Sequence, residues 1–503
     1  MASHSFSMNL TDLLTNFVID EKFDEIIIEG LSLDSRSVIE SDMFLATKGD
    51  TVNGMEYIND AIDSGARAIC WEAEPNVNTI KVNWRKNSAG ISIPIIAIEN
   101  LSQVYGEIAD RFYEYPSRQL SVCGITGTNG KTSCADFIAQ VMSVDKPCGL
   151  MGTLGSGLYP LISETGYTTP DAITCHRWLA DMQKQQATFA VMEVSSHALT
   201  LGRVSGIHFD SAIFTNISRD HLDFHGDMQS YIAAKSKLFQ VNGLKNAIIN
   251  VDDEIGRKIA EELASDTRCL RYGIVASNQP DIYGTDIQLD HRGLSMKVIT
   301  PWGEGQFTAA VMGKFNASNL LAVLAIMLVQ GIELDEALQR LSKIHSVAGR
   351  MQSFGCDKTP LVVVDFAHTP DALEQALTSL RQHTKGDLWC VFGCGGDRDQ
   401  GKRALMGAVA QAQADKIVLT NDNPRSENAE KIVTDIKSGM NKFEKVLIEL
   451  DRHIAIHTAI QQAKAGDVVL VAGKGHEKYQ IIGEEKYSFS DIDEVKKQLE
   501  ECA

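Results

Sequence analysis

The sequence lacks a long hydrophobic run: none approaches the ~20 apolar residues that a membrane-spanning helix requires. Its first residues show no basic segment followed by an apolar core, so we expect no secretory signal. Basic residues are scarce beside acidic ones, with 47 Lys and Arg against 66 Asp and Glu and a formal net charge of −19. We therefore expect no membrane insertion and no general binding to nucleic acid, although a local basic pocket for a small anion remains open.

Paired cysteines are also missing, because none of the ten cysteines forms a CxxC motif. Cys390 and Cys394 lie near each other in WCVFGC, but a zinc site would need further ligands close by. Buried free thiols in a reducing compartment are the favoured interpretation.

The chain of 503 residues is too long for one ordinary domain, and about 150 residues per domain predicts roughly three. Residues 1–98 mix short strands and helices. In residues 99–345, runs such as LSVCGIT and TFAVMEV are typical of buried parallel strands. In residues 346–503, strands such as LVVVDFAH and DVVLVAG alternate regularly with helical patterns. The pattern predicts a three-domain α/β fold whose last domain is doubly wound and Rossmann-like, with ligands beyond the carboxyl ends of its strands.

A glycine-rich stretch, GITGTNGKTS at residues 124–133, follows the first strand of the middle block and precedes a helical pattern. In such a loop, backbone N–H groups cradle phosphates, Lys131 would reach the β and γ oxygens, and the Thr132 hydroxyl would face Mg²⁺. The spacing is one residue longer than the strict pattern, and a glycine-rich turn with an incidental lysine is the alternative. The flanking strand and helix favour a P-loop ATPase-like domain that binds a nucleoside triphosphate, without indicating the reaction.

Carboxylate and imidazole side chains follow two of the predicted strands. Glu193 lies near the end of VMEV, and Asp220, His221, Asp223 and His225 come after SAIFTNI. In a parallel sheet both ends share an edge with the phosphate loop, and Mg²⁺ prefers oxygen ligands. Two histidines four residues apart could instead indicate zinc, and capping or turn roles are a third alternative. We favour support of Mg²⁺-ATP.

One lysine lies on the apolar face of a predicted helix, in GDMQSYIAAKSKLF. At 100° per residue, Lys235 falls among Met228, Tyr231, Ile232, Leu238 and Phe239, whereas Lys237 points the opposite way. A lysine stem that reaches solvent is one interpretation. The other is a desolvated amine that captures CO₂ as a carbamate and serves as an anion beside a metal.

A set of motifs then occurs in the order found in the Mur ligases, and the chain resembles that family along its whole length. The motifs are GITGTNGKT, EVSSHAL, RDHLDFHG, YIAAKSKLF, GKFNASN, GRMQ, DFAHTPDAL, GCGGDRDQGKRALM, DNPRSE and AGKGHEKYQ.

The resemblance implies a cytoplasmic bacterial enzyme of peptidoglycan synthesis, an ATP-dependent amide ligase acting as a monomer. It would join meso-2,6-diaminopimelate to the D-Glu γ-carboxylate of UDP-N-acetylmuramoyl-L-Ala-D-Glu through an acyl phosphate. Its domains would span residues 1–98 for the UDP-substrate, 99–345 for ATP and 346–503 for the amino acid. Rivals are a folylpolyglutamate synthase or lysine-adding relative, and a non-catalytic nucleotide-binding protein that kept the fold.

The resemblance also implies roles for individual residues. The catalytic residues would be Lys131, Glu193, His221 and Lys235, with Thr132, Glu193 and His221 on the metal side and Lys235 carbamylated. The ATP contacts would be Gly127, Thr128, Asn129, Gly130, Lys131, Thr132, Asn316, Arg350, His368 and Asp371. The UDP-substrate contacts would be Ser35, Arg36, the loop KGDTVNG, Thr168, Thr169, Ser195 and Arg203.

The stretch TNDNPRSE carries the expected selectivity for diaminopimelate. Diaminopimelate has one carboxylate more than lysine, and an arginine fork can hold a carboxylate at two points. The resemblance implies that Arg425, with Arg398, holds one end of this substrate and that Glu477 faces an ammonium. The full expected set is Arg398, Asp422, Asn423, Pro424, Arg425, Gly473 and Glu477. The alternative is an Asx-Pro turn with a solvated arginine.

Some positions depart from the family pattern. Ser41 stands where glycine is usual, Ala348 and Ala404 replace prolines, and Phe366 replaces the tyrosine of DYAH. In GCGGDRD, Arg398 occupies the position of the last glycine of a dinucleotide loop, so we expect no NAD binding.

Overall fold

The computed structural model describes residues 6–49, 53–74, 81–290, 293–355, 359–443 and 446–502. The chain forms two compact units, Met1–Arg271 and Tyr272–Ala503. Both mix helices with parallel and mixed sheets, which confirms the predicted α/β class. The domain borders at residues 98 and 345 stay a prediction. None of the helices within the described ranges is long and apolar enough to cross a membrane.

The first part of unit 1 is a five-stranded sheet in the order β3-β4-β5-β7-β6, parallel except for β6. Its elements are β1 (Met8–Asn9), α1 (Leu10–Leu13), β2 (Ile27–Ile28), β3 (Gly30–Ser32), β4 (Asp42–Ala46), α2 (Ile58–Asp63), β5 (Ala68–Ala73), β6 (Val82–Lys86), β7 (Ser92–Glu99), α3 (Leu101–Phe112) and α4 (Pro116–Gln119). Ser41 has a φ of +71°, which explains why glycine suits that position.

The second part of unit 1 contains the strands β11-β10-β9-β12-β8-β13-β14 in spatial order. Its elements are β8 (Ser121–Thr126), α5 (Lys131–Met142), β9 (Cys148–Gly152), β10 (Gly155–Leu158), β11 (Leu161–Ser163), α6 (Ala172–Lys184), β12 (Phe189–Glu193), α7 (Ser196–Thr200), β13 (Ser211–Phe214), α8 (Leu222–His225), α9 (Met228–Ser236), β14 (Asn246–Asn250) and α10 (Glu254–Glu261). The pairs β9–β12, β12–β8, β8–β13 and β13–β14 are parallel, as the buried apolar runs of β8, β12, β13 and β14 predict.

Unit 2 begins with strands that pair antiparallel, β16 with β17 and β17 with β18, and with the largely buried helix α11. Its elements are β15 (Arg268–Gly273, which spans the border), β16 (Ile282–Asp290), β17 (Gly293–Thr300), β18 (Gly303–Ala309), α11 (Phe315–Val329), α12 (Leu334–Leu341), β19 (Gln352–Phe354), β20 (Leu361–Asp365), α13 (Pro370–Arg381), β21 (Leu388–Phe392), α14 (Gly401–Gln413), β22 (Lys416–Leu419), α15 (Ala429–Lys437), β23 (Val446–Ile448), α16 (Arg452–Gln462), β24 (Val468–Ala472), β25 (Tyr479–Ile482), β26 (Glu485–Ser488) and α17 (Asp491–Cys502).

The remainder of unit 2 has a six-stranded sheet in the order β19-β20-β24-β21-β22-β23 and a separate antiparallel pair, β25 with β26. All pairs of the six-stranded sheet are parallel except β19–β20, and helices alternate with the strands along the chain. This is the predicted doubly wound arrangement. Cys390 and Cys394 are buried free thiols on and just after β21.

A fully buried ion pair joins α16 to α17 and to the ends of β22 and β24. Arg452, the first residue of α16, donates from Nε and Nη2 to the Asp491 carboxylate, at 2.7 Å each. It also donates to the carbonyl oxygens of Asn421, after β22, and Ala472, at the end of β24. Because both side chains are buried, either one alone would be an uncompensated charge.

We therefore expect Arg452→Met to lower the free energy of unfolding of unit 2 by about 3–5 kcal/mol. Urea unfolding followed by circular dichroism measures this change. The control is Arg381→Met, which removes a half-exposed pair with Asp415 and should cost less than about 1 kcal/mol. A loss in Arg452→Met no larger than in the control would contradict the role of the buried pair.

Candidate active site

The phosphate-loop motif forms a tight turn between β8 and α5. Gly127 and Gly130 have φ values of +148° and +87°, and a Cβ on Gly127 would overlap the Thr215 hydroxyl oxygen. Gly124 lies inside β8 instead, where it makes room for Phe209, so it is a packing residue and not part of the turn. This placement explains the irregular glycine spacing.

Residues after β13 hold the turn in place. The backbone N–H groups of Thr128 and Asn129 donate to the Asn216 carbonyl and side-chain oxygens, at 2.8 and 3.0 Å. The Thr215 hydroxyl donates to the Asn129 carbonyl oxygen at 2.6 Å. Helix α5 begins directly afterwards at Lys131, which is the geometry that binds phosphate at a helix N-terminus.

Two predicted metal-side residues lie in direct contact. The Thr132 hydroxyl donates to Glu193 Oε2 at 2.9 Å, and Glu193 Oε1 accepts from the Thr153 backbone N–H at 2.8 Å. Glu193 is buried at the end of β12. This set of oxygen donors beside a phosphate loop fits Mg²⁺.

His221 has different neighbours. Its Nε2 lies 3.4 Å from Asp220 Oδ2, and its ring centroid lies 4.8 Å from that of His197. His225 contacts the Ser196 hydroxyl at 2.9 Å. The side chain of Asp223 lies outside what the structure describes. The metal role of His221 stays a prediction.

Lys235 is buried, as the helical pattern predicts. Tyr231, Leu238 and Phe239 are buried with it, and Lys237 is exposed. The Lys235 ammonium donates to the Gly127 carbonyl oxygen at 2.7 Å and lies 4.7 Å from the Tyr231 ring centroid. Burial, followed by the nearby positive charge of Lys131, lowers the pKa of Lys235 to about 7.

Lys131 shares the Gly127 carbonyl oxygen with Lys235. Its ammonium donates to the carbonyl oxygens of Gly127 and Thr128, at 2.9 and 3.0 Å. Two ammonium groups at one carbonyl repel each other. An anion at the loop would relieve that repulsion, which supports the phosphate and carbamate expectations.

The residues expected to contact the peptide part of the UDP-substrate form a chain beside Glu193. The Thr169 hydroxyl donates to the Glu193 carbonyl oxygen at 2.9 Å and lies 3.4 Å from Ser195 Oγ. Arg203 donates to the Thr169 carbonyl oxygen, and Thr168 Oγ1 lies 3.1 Å from Thr153 Oγ1.

Two of the residues expected to hold the UDP-sugar lie in a short 3-10 helix, Ser35–Ser37, between β3 and β4. Ser35 is buried, whereas Arg36 is exposed and paired with Asp34 at 2.7 Å. Of the loop KGDTVNG, residues 50–52 lie outside the described residues.

Unit 2 contains the remaining nucleotide candidates. The Asn316 amide is buried in α11 and donates to the Met312 carbonyl oxygen at 2.8 Å. Arg350 Nε is buried and has no hydrogen-bond partner among the described residues. Asp371 lies in the first turn of α13, and His368 is exposed just before it, with its ring 4.6 Å from that of Phe366. The unsatisfied Nε–H of Arg350 is a donor that a contact to an anionic ligand would use.

The DNPR turn brings the two predicted arginines together. A Cβ on Gly395 would lie 3.0 Å from Arg425 Nη1 and 3.6 Å from Arg398 Cγ, so both arginines flank this glycine. Arg425 Nη1 donates to the Gly396 carbonyl oxygen at 2.7 Å, and the backbone of Arg425 has a φ of +49°. The guanidinium is therefore fixed at the loop rather than free in solvent.

The other predicted amino-acid residues meet in the same part of unit 2. Asn423 Nδ2 donates to Glu477 Oε2 at 3.0 Å, and Pro424 follows it in the turn. Asp422 is buried beside Gly473, and burial raises the pKa of its carboxyl group. Sequence reasoning missed Lys474, which bonds both Asn423 and Glu477; its position directly after an apolar strand could have indicated burial.

Three family models match most of the chain. They are "Mur ligase family, catalytic domain" over residues 27–113, "Mur ligase middle domain" over residues 125–327 and "Mur ligase, glutamate ligase domain" over residues 349–475. The chain belongs to the Mur ligase family.

Two relatives of this chain are each named UDP-N-acetylmuramoyl-L-alanyl-D-glutamate--2,6-diaminopimelate ligase. The protein from Coxiella burnetii is 46% identical over 479 residues, which cover 94% of this chain and 96% of the relative. The one from Chromobacterium violaceum is 45% identical over 469 residues, which cover 92% and 93%.

Solved structures show the same fold. A structure of a ligase with this name has a TM-score of 0.77 and 35% identity and covers 99% of both chains. A Mycobacterium tuberculosis folylpolyglutamate synthase in complex with ADP reaches a TM-score of 0.57 at 18% identity and covers 74% of this chain and 92% of its own. The second likeness shows the fold alone.

Because its pKa is lowered, Lys235 is expected to form a carbamate near neutral pH, and this can be tested. At a fixed concentration of dissolved CO₂, the carbamate should form as pH rises through about 7, because only the neutral amine reacts with CO₂. Carbon-13 NMR with labelled bicarbonate should show a carbamate signal that is absent in Lys235→Ala and retained in Lys237→Ala. An equal signal in Lys235→Ala would assign the carbamate to another group.

Proposed function

We propose that this Mur ligase joins meso-2,6-diaminopimelate to the γ-carboxylate of the D-Glu residue of UDP-N-acetylmuramoyl-L-Ala-D-Glu, with ATP as co-substrate. The observation that carries the proposal is the pair of arginines at Gly395, in a chain that is 46% identical to a ligase of that name. UDP-sugars and ATP are cytoplasmic metabolites, so the proposed compartment is the cytoplasm.

The first step is phosphoryl transfer at the phosphate loop. A γ-carboxylate oxygen of D-Glu attacks the γ-phosphorus of ATP, and ADP leaves with the bridging oxygen. The Lys131 ammonium would turn from the Gly127 and Thr128 carbonyls to the phosphate oxygens, and the backbone N–H groups at the start of α5 would donate to the same phosphates. Positioning and charge stabilisation supply most of the catalysis in such transfers.

Thr132 and Glu193 would hold Mg²⁺, which offsets the charge of the phosphates when it is bound. Lys235 lies at the same loop. As a carbamate it would change from a second cation at Gly127 into an anion, which suits a residue beside a metal.

The second step forms the amide. A neutral amine of diaminopimelate attacks the acyl carbon of the acyl phosphate, and the tetrahedral intermediate expels inorganic phosphate and a proton. Arg425 and Arg398 would hold a carboxylate of the amino acid, and Glu477 would face an ammonium. A site built for a charged group rejects an analogue that lacks it, because its own buried charge is left unpaired.

Substrate selection is tested first with the wild-type protein. Release of ADP and phosphate with UDP-N-acetylmuramoyl-L-Ala-D-Glu should depend on diaminopimelate, and lysine should support at most a small fraction of that rate. A folate substrate with glutamate is the control for the folylpolyglutamate alternative. Equal rates with lysine and diaminopimelate would contradict the proposed specificity, and no turnover with any amino acid would favour a non-catalytic protein.

The role of Arg425 is tested by Arg425→Ala. We expect the KM for diaminopimelate to rise on the order of 100-fold while the KM for ATP changes little, because a charge-assisted fork is lost. Arg381→Ala, at a half-exposed arginine outside the proposed site, is the control. If Arg425→Ala kept the wild-type KM, the arginine would be part of a plain Asx-Pro turn.

A further inference from the structure

The loop that follows β24 contains a lysine that is sealed from solvent. Lys474 lies between Gly473 and Gly475, and its side chain is 0% exposed. An ammonium group taken out of water needs fixed polar partners. Because the side chain is buried on all sides, Lys474 acts through its neighbours rather than on a ligand in solution.

Its partners join two loops of the candidate amino-acid site. Lys474 Nζ donates to Glu477 Oε2 at 2.9 Å and to Asn423 Oδ1 at 3.2 Å. Asn423 Nδ2 donates to the same Glu477 oxygen at 3.0 Å. The three side chains thus form a closed triangle between the DNPR turn and the GKGHE loop.

The hydrogen bonds of the triangle can run in only one direction. An ammonium group has donors and no acceptor, so Asn423 must turn its Oδ1 toward Lys474. The Ile481 backbone N–H donates to that same oxygen at 2.9 Å. The amide nitrogen is consequently directed at Glu477, and the Glu477 carboxylate is held by two donors at one oxygen.

Lys474 also balances charge in the site. Asp422 is buried nearby, and both Arg452 and Lys474 oppose the effect of burial on its carboxyl group. Arg452 is itself committed to Asp491 by two hydrogen bonds. Lys474 is therefore the second cation that faces the buried carboxyl group of Asp422.

We propose that Lys474 is a positioning residue for the amino-acid substrate: together with Asn423 it fixes the Glu477 carboxylate so that it is turned toward an ammonium of the incoming diamino acid. This inference rests on the proposed function. In the proposed function Arg425 and Arg398 hold a carboxylate of the amino acid, and Lys474 orients the Glu477 side chain.

The first experiment compares Lys474→Met with Lys478→Met, a matched loss of a lysine that is exposed in the same loop. Lys474→Met should raise the KM for diaminopimelate about tenfold or more, with the KM for ATP within about twofold and kcat changed less than KM. Lys478→Met should leave all three near wild type. Parallel increases in both KM values in Lys474→Met would indicate general loss of structure and overturn the proposal.

A double-mutant cycle decides whether Lys474 acts through Glu477. If it does, Lys474→Met combined with Glu477→Gln should bind diaminopimelate no worse than Glu477→Gln alone. If the losses of affinity for diaminopimelate in the two single variants multiplied in the double variant, Lys474 and Glu477 would act independently and the proposal would be overturned. The double variant also leaves no unpaired carboxylate at position 477, so this comparison stands even if Lys474→Met alone folds poorly.

Wild-type turnover with diaminopimelate is measured before the cycle. Absence of turnover at that stage would overturn the proposed function. Multiplicative losses in an active enzyme would overturn the role of Lys474 and leave the proposed function in place.

Discussion

The parallel pairing of β8 with β12 and β13 is the constraint on which the site in unit 1 depends. Its register sets Ile125 opposite Glu193 and Thr126 opposite Phe214, so all three strands end at one level. The chain after β8 becomes the phosphate loop, the end of β12 presents Glu193, and the residues after β13 hold the loop through Thr215 and Asn216. A strand that ended elsewhere would separate these groups.

Each of the two units also contains a buried lysine in its candidate site. Lys235 is buried beneath the phosphate loop, and Lys474 is buried between two loops of unit 2. The energetic cost of removing an ammonium from water is met differently in the two places. Lys235 has a carbonyl oxygen and a ring as neighbours and a lowered pKa, whereas Lys474 has a carboxylate. The first environment is the one in which we predict carbamylation of the amine, and the second pairs the ammonium with an anion.

Sequence reasoning predicted what depends on local pattern. The apolar runs located the buried parallel strands, and the 100° periodicity identified Lys235 as a core-facing lysine while leaving Lys237 outside. It did not locate Gly124, whose place in β8 follows from the Phe209 ring packed against it. Nor did it find Lys474, whose partner Asn423 lies 51 residues away in sequence, because such a contact exists only once β22 and β24 are in the same sheet.

If Arg425 selects the amino acid as proposed, its guanidinium must be held still, since a mobile fork would lose entropy on every binding event. Arg425 is held by its bond to the Gly396 carbonyl oxygen, and the loops that carry it and Gly395 are joined through a fully buried arginine, Arg403, which donates to both carboxylate oxygens of Glu427. That contact holds the pKa of Glu427 at about 2, so the pair stays charged at neutral pH. Glu427 also accepts from the Asp397 backbone N–H, and the Asp397 carboxylate accepts from Ser426, so the loops on either side of Gly395 are bound to each other. The entropic cost of ordering both loops is thus met during folding, and the proposed binding of a substrate carboxylate would not have to order them.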